Sequence, residues 1–243
     1  LTRASMHGAR IDVEYAQTYG AALDDRAAEC LATALQKWGL TSLGSSAAIA
    51  AILEADGVEL SARTASGAPS ITKDVLQGLA DKHPLAALVL SYRHASKFRA
   101  AYVDGVLSRL DGDLVHPSIR AVGARTGRTS VSAPPLQQIP AGDPEPRRMF
   151  IPREGRVLLS VDMSAIEVRI LAHLAGKGTL TSAFERGEDP HLATAARMYG
   201  ESRAAEMRKK AKAATFSKVY GAGPKTVAIQ QGMRRRAQQF QNI

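Results

Sequence analysis

VLLSVDMSAIEVRILAHLAG, residues 157–176, is the stretch whose reading decides the fold. VLLSV is a continuous apolar run of strand type, suited to the buried middle of a sheet, and Asp162 stands at its carboxyl end. Ser164 and Glu167 make the S-x-x-E spacing of a capping box, which predicts a helix running to Ala175 and ended by Gly176. A strand that delivers an aspartate next to a helix start is a favourable place for a magnesium ligand, because the sheet fixes the carboxylate while the strand end faces a cleft. The plainer reading of Asp162 is a carboxylate that satisfies helix N–H groups, and a capping glutamate at position 167 needs no further role. Both readings stand open on these residues alone.

A second stretch, EMRKKAKAATFSKVYG at 206–221, gives the first its context. Arg208, Lys212, Phe216 and Tyr220 recur every four residues, so on a helix they form one slowly drifting stripe with two cations at one end and two aromatics at the other. Such a stripe can hold a triphosphate with Arg208 and Lys212, stack a nucleobase on Phe216 and meet a template base with Tyr220. The alternative is a basic surface helix whose aromatics are core. His191 falls on the first turn of a helix opened by Asp189-Pro190, where the N-terminus already favours anions; a surface histidine is the ordinary alternative.

Charge separates the two halves of the chain. The net charge is +9, with −1 in residues 1–120 and +10 in residues 121–243, which points to a polyanionic partner for the second half. The single Cys30 excludes an internal disulfide, and no Cys/His cluster suggests structural zinc, so a cytoplasmic, reducing setting is expected. The longest apolar runs, 47–53 and 85–90, are far too short to span a bilayer. No membrane role is expected.

Between these features the chain reads as helices and turns. GARIDVEY predicts a brief strand or turn before a helix from Ala16 to about Gly39; further helices are expected over Ser46–Ala55, after Thr72, and from Pro84 toward Ser108. Residues 57–70 are polar and glycine-rich, an exposed loop or finger. Residues 111–146 lose helical periodicity, with short strands expected around 118–122. Short helices are expected over 179–186 and from Asp189 to Gly200, then a longer one from Arg203 to Tyr220. Lys97, on the helix begun by Pro84, belongs to a polar face able to touch a nucleic-acid backbone, or to an ordinary surface face.

VDMSAIEVRILAHLAG resembles motif A of the family A DNA polymerases, and RKKAKAATFSKVYG resembles the fingers helix that carries their motif B. TGRTSVSAPPLQQIP, 126–140, is similar to the palm segment that meets primer and template, and residues 70–107 are similar, with less specificity, to the thumb. The resemblance implies an α+β right-hand architecture, with a mostly helical thumb and fingers around part of an antiparallel palm sheet. The corresponding division is 1–20 start of palm, 21–115 thumb, 116–178 palm with motif A, and 179–243 the first part of the fingers.

By that resemblance Asp162 and Lys212 are the catalytic residues of a DNA-templated polymerase, and Asp162 with the Met163 carbonyl holds two Mg²⁺ ions. Glu167 is the gate against a ribose 2′-hydroxyl, and Arg208, Lys212 and His191 bind the incoming dNTP. Phe216 packs on its sugar and base, Tyr220 stacks near the templating base, and Arg128, Gln137 and Gln138 contact the duplex, to which the polar helix face adds Lys97 as a further candidate. Partners are therefore primer–template DNA and dNTPs, with a monomer expected in a bacterial cell or phage-infected host. Alternatives are a non-catalytic nucleic-acid-binding derivative and a related single-chain RNA polymerase.

The sequence departs from the family pattern at Met163 for tyrosine, Ala165 for glutamine, Gln138 for asparagine and Ser217 for glycine. None of the six histidines precedes an aspartate, so the family's His-Asp-Glu motif is missing. Together with a first residue of Leu1, this is read as a truncated polymerase domain that is inactive alone.

Overall fold

The longest helix, α2 (Val13–Trp38), has both ends set by sequence. The Asp12 side chain accepts from the Tyr15 N–H, and Gly39 closes the other end at φ 66°, the left-handed conformation that a residue without Cβ takes most readily. The structure is a computed structural model and describes residues 2–140, 142–176, 178–224 and 226–227. The chain divides into two compact units, Leu1–Leu159 and Ser160–Ile243.

The first unit begins with α1 (Thr2–His7) and β1 (Ala9–Ile11), and after α2 continues through α3 (Ser46–Ala55), α4 (Lys73–Leu79) and α5 (Pro84–Phe98). Ser45 and Thr72 cap α3 and α4 through their hydroxyls, and Pro84 occupies the first turn of α5, where its missing N–H costs nothing. One π-helical segment, Arg99–Asp104, and the short α6 (Gly105–Leu107) carry the chain to β2 (Leu110–Asp111) and β3 (Leu114–Val115). The remaining elements are β4 (Ser118–Arg120), β5 (Ser130–Ser132), a 3₁₀ turn Leu136–Gln138, α7 (Glu145–Arg148) and β6 (Phe150–Ile151). Four strands form an antiparallel sheet in the order β2-β3-β1-β6, with Ala9 opposite Val115 and Arg10 opposite Ile151. A separate hairpin pairs Ile119 of β4 with Val131 of β5.

Two hydrophobic clusters hold this unit. One gathers Cys30 and Ala34 from the far half of α2 with Leu43, Ile49, Leu53, Leu76, Leu85 and Val89, joining α2 through α5. The other takes the near half of α2, through Ala16 and Leu23, against Phe98, Tyr102, Val103, Val106 and the sheet residues Ile11 and Val115. A single long helix thus spans both clusters, and full burial of each Leu or Ile contributes about 1.5–3 kcal/mol. Gly20 is the close-approach point: a Cβ there would meet Val103 Cγ1 at 3.1 Å and the Arg99 guanidinium at 3.4 Å.

The second unit consists of α8 (Ile166–Ala175), α9 (Thr179–Glu185), α10 (Pro190–Tyr199), a 3₁₀ turn Glu201–Arg203 and α11 (Ala204–Val219). α10 and α11 pack through small buried residues, Ala195, Ala204 and Ala211, which let two backbones approach closely.

Three expectations change at this level. VLLSV forms no strand: Val157 and Val161 are 86% and 79% exposed, and the segment is irregular. A strand exists only as half of a ladder, and no described segment pairs with this one. The capping box also fails to form. Ala165 sits in the left-handed region at φ 52°, so α8 starts at Ile166 without a side-chain cap, and Ser164 lies one residue too early to serve. Finally, the helix expected from Pro84 to Ser108 is interrupted by the π-helical turn. The fourteen-residue loop 57–70 is indeed largely irregular, drawn together by a bridge between Arg63 and Pro69.

Candidate nucleotide site

Asp189 is the residue from which the site is built. It caps α10, its Oδ1 accepting from the His191 and Leu192 N–H groups at 2.8 and 3.3 Å. Its other oxygen, Oδ2, accepts from Arg208 Nε at 2.6 Å and lies 2.5 Å from Nη2. One carboxylate therefore joins the start of α10 to the first half of α11. Burial pushes its pKa up, but the Arg208 hydrogen bond and the two helix N–H groups outweigh that and hold it below the ordinary value of 3.8.

His191 comes next along the chain and is only 4% exposed. Its Nδ1 has no hydrogen-bond partner among the described residues. Its ring lies 5.9 Å from that of Phe216, eight residues and so just over two turns further along α11 than Arg208. Burial lowers the His191 pKa below 6.5; Asp189 works against this, while Lys212 and Arg208 add to it. Lys212 completes the group, its Nζ standing 5.9 Å from the Phe216 ring centroid. Arg208 and Lys212 are exposed and Phe216 is half-buried, as the four-residue spacing predicts for one face of a helix.

Tyr220 lies just past the end of α11, and its hydroxyl is 3.4 Å from Glu167 Oε1 on the first turn of α8. Glu167, freed from the predicted capping role, thus meets the aromatic end of the stripe. The structure brings together His191, Arg208, Lys212 and Phe216, and separately Glu167 and Tyr220. Asp189 escaped the sequence reading as a site residue. Its Asp-Pro signal identified a helix start, and nothing in spacing reveals a partner nineteen residues away.

Asp162 and Met163 lie in the exposed segment before α8, and the Met163 carbonyl accepts from the Ile166 N–H at 3.3 Å. A carboxylate and a backbone carbonyl are hard oxygen donors of the kind Mg²⁺ takes, and Mg²⁺ is commonly held by one or two carboxylates with phosphate and water completing its shell. Asp162 fits as one such ligand. No group of three or more His, Cys, Asp or Glu gathers among the described residues.

The remaining candidates belong to the first unit. Lys97 is exposed near the end of α5, and Arg128 is exposed in the turn where its carbonyl accepts from the Ala124 N–H at 3.1 Å. The amide of Gln137 is committed internally: Oε1 accepts from the Val131 N–H and Nε2 donates to the Thr129 carbonyl, both at 3.2 Å. It ties the 3₁₀ turn to β5. Gln138 is exposed, and its carbonyl accepts from the Tyr102 hydroxyl at 2.8 Å.

Comparison with known proteins matches residues 13–242 to the model of DNA polymerase family A. DNA polymerase I of Chloroflexus aurantiacus is 32% identical across 97% of this chain and 26% of its own length. The DNA polymerase of Mycobacterium phage D29 is 33% identical across 93% of this chain and 38% of its own. Among solved structures, the POL domain of Pol1 from M. smegmatis, in complex with DNA primer–template and dNTP, superposes with a TM-score of 0.77 at 28% identity, over 92% of this chain and 41% of that one. The chain spans between about a quarter and two fifths of these relatives. With nearly its whole length matched by the family model and its α+β fold matched by a polymerase domain, the chain belongs to DNA polymerase family A.

Proposed function

We propose that these residues serve a DNA-templated DNA polymerase that adds dNTPs to a primer 3′-hydroxyl, with residues 21–115 as thumb, 1–20 and 116–178 as palm and 179–243 as the first part of the fingers. The observation that carries the reading is the convergence of His191, Arg208, Lys212 and Phe216 around the start of α10 and one face of α11. Two cations, a buried imidazole and an aromatic ring match the parts of a nucleoside triphosphate in order.

Arg208 and Lys212 bind the phosphates and offset the charge that develops on them. His191 lies neutral at pH 7 and presents its ring nitrogen from a buried position beside them. Phe216 packs against sugar and base, Tyr220 stacks near the templating base, and Glu167 crowds the position of a 2′-hydroxyl. Asp162 and the Met163 carbonyl hold magnesium. When bound, the two ions lower the pKa of the primer hydroxyl and neutralise phosphate charge. Arg128, Gln138 and Lys97 contact the duplex, and Gln137 ties the turn that bears Gln138 to β5.

The protein acts as a monomer on primer–template DNA in the cytoplasm of a bacterium or of its phage-infected host. Relatives from both sources support that setting. No helix of the described residues is long and apolar enough to cross a membrane.

The test is primer extension by the polymerase that carries this sequence. Asp162→Ala abolishes extension and leaves primer–template affinity within about twofold, since Asp162 is exposed and makes no hydrogen bond or ion pair among the described residues. Extension that survives the substitution removes the metal assignment.

A further inference from the structure

The ion pair between Asp189 and Arg208 has a geometry that bears on how the site works. Asp189 approaches the guanidinium through Nε and Nη2, the side-on edge, and both contacts fall on a single oxygen, Oδ2. The other oxygen is committed to the α10 N-terminus through His191 N and Leu192 N. A guanidinium carries five N–H donors in a rigid plane. Side-on pairing engages those of one edge and leaves the end-on edge, Nη1 with the outer N–H of Nη2, to approach a phosphate. A long, exposed arginine otherwise loses rotamer freedom when a ligand fixes it; here the carboxylate at the start of α10 already holds it.

We propose that Asp189 is a positioning residue: it orients Arg208 beside His191, so that Arg208 meets the triphosphate pre-set. The proposal rests on the reading of Arg208 as a triphosphate ligand. It sets Asp189 apart from a competitor, a carboxylate that must be displaced before an anion binds. The carboxylate and the phosphate take different edges of the same cation, and the net charge of the neighbourhood stays positive because Lys212 stands one turn further along α11.

Asparagine separates the two duties of Asp189. It caps a helix as well as aspartate does, yet forms no ion pair. The measurement is equilibrium binding of dATP and of inorganic tripolyphosphate to the polymerase that carries this sequence, with thermal unfolding followed in parallel. Asp189→Asn weakens both ligands about tenfold, the scale on which members of one ion-pair network couple, while the melting temperature stays within a few degrees. In an Arg208→Ala background the same substitution has no further effect, which a general loosening of α10 would not reproduce. Tighter binding by Asp189→Asn, or unchanged binding where Arg208→Ala weakens it, overturns the positioning role. If Arg208→Ala itself leaves tripolyphosphate binding unchanged, the triphosphate reading of α11 fails first, and the Asp189 proposal with it.

Discussion

A buried imidazole placed among a carboxylate, two cations and an aromatic ring reports on its surroundings through its own titration. His191 loses hydration in its nearly closed position, and the cost falls on the charged form, so its pKa sits below 6.5. The sign for stability follows: as pH falls below about 6.5 the unfolded chain takes up the proton first, so folded stability declines from there down to the depressed folded-state pKa. Carbon-resolved NMR of the His191 ring is expected to give a midpoint below 6.5, moved lower again by Asp189→Asn because Asp189 favours the cation. A midpoint at or above 6.5 contradicts the burial argument. At the other end of the site, Glu167 meets Tyr220 at 3.4 Å, and its proposed role there is to exclude a ribose hydroxyl. Glu167→Ala is therefore expected to relax selectivity for dNTP over rNTP by about tenfold to 100-fold, the range a pocket commands against one added hydroxyl. Competition extension assays with the two nucleotide sets measure it, and unchanged discrimination removes the gate.

At the scale of elements, the π-helical turn at Arg99–Asp104 ties the end of α5 to the 3₁₀ turn Leu136–Gln138. It places Tyr102, 4% exposed and edge-on to Phe98 at 5.0 Å, so that its hydroxyl reaches the Gln138 carbonyl. Tyr102→Phe leaves that carbonyl without its donor and is expected to cost about 1–2 kcal/mol in denaturant unfolding. Primer–template affinity should fall as well, because the turn bearing Gln137 and Gln138 loses its anchor; stability reduced with affinity intact would confine Tyr102 to the core. The turn itself was not legible in the sequence, since apolar spacing over residues 84–108 fits an unbroken helix and one extra residue in a turn leaves no composition signal. Helix ends with chemical punctuation were legible: Gly39 closes α2, Thr72 opens α4, and Asp189-Pro190 opens α10, whereas α2 starts at Val13 under the Asp12 cap, three residues ahead of the expected Ala16. VLLSV was misread for a different reason. Its apolar character is local, but strandhood depends on a neighbour, and its side chains stand exposed here. The shared face of Arg208, Lys212 and Phe216 on α11 was legible because a four-residue period is a property of one helix; Tyr220 lies just past its end. The link from Asp189 to Arg208 crosses two helices and needed coordinates.

The whole molecule carries its positive charge unevenly, +10 in residues 121–243 against −1 before them. That asymmetry makes a quantitative claim about DNA, because each phosphate neutralised by a lysine or arginine releases condensed counterions and steepens the fall of affinity with salt. The slope of log affinity against log salt is expected to be about −0.9 for each duplex phosphate contacted. Arg128→Ala, in the basic part and close to the turn held by Gln137, should make the slope shallower by about one contact while weakening all sequences alike. Lys37→Ala is the control: Lys37 lies at the end of α2 with its ammonium 6.0 Å from the Trp38 ring, in the electrically balanced part of the chain, and its loss should leave the slope unchanged. Fluorescence anisotropy titrations of a primer–template between 50 and 200 mM salt, about the range over which such contacts dominate, separate the two. Equal slopes for Arg128→Ala and the parent chain would place the polyanion elsewhere on the basic surface, and a slope changed only by Lys37→Ala would assign the grip to the helical first half despite its balanced charge.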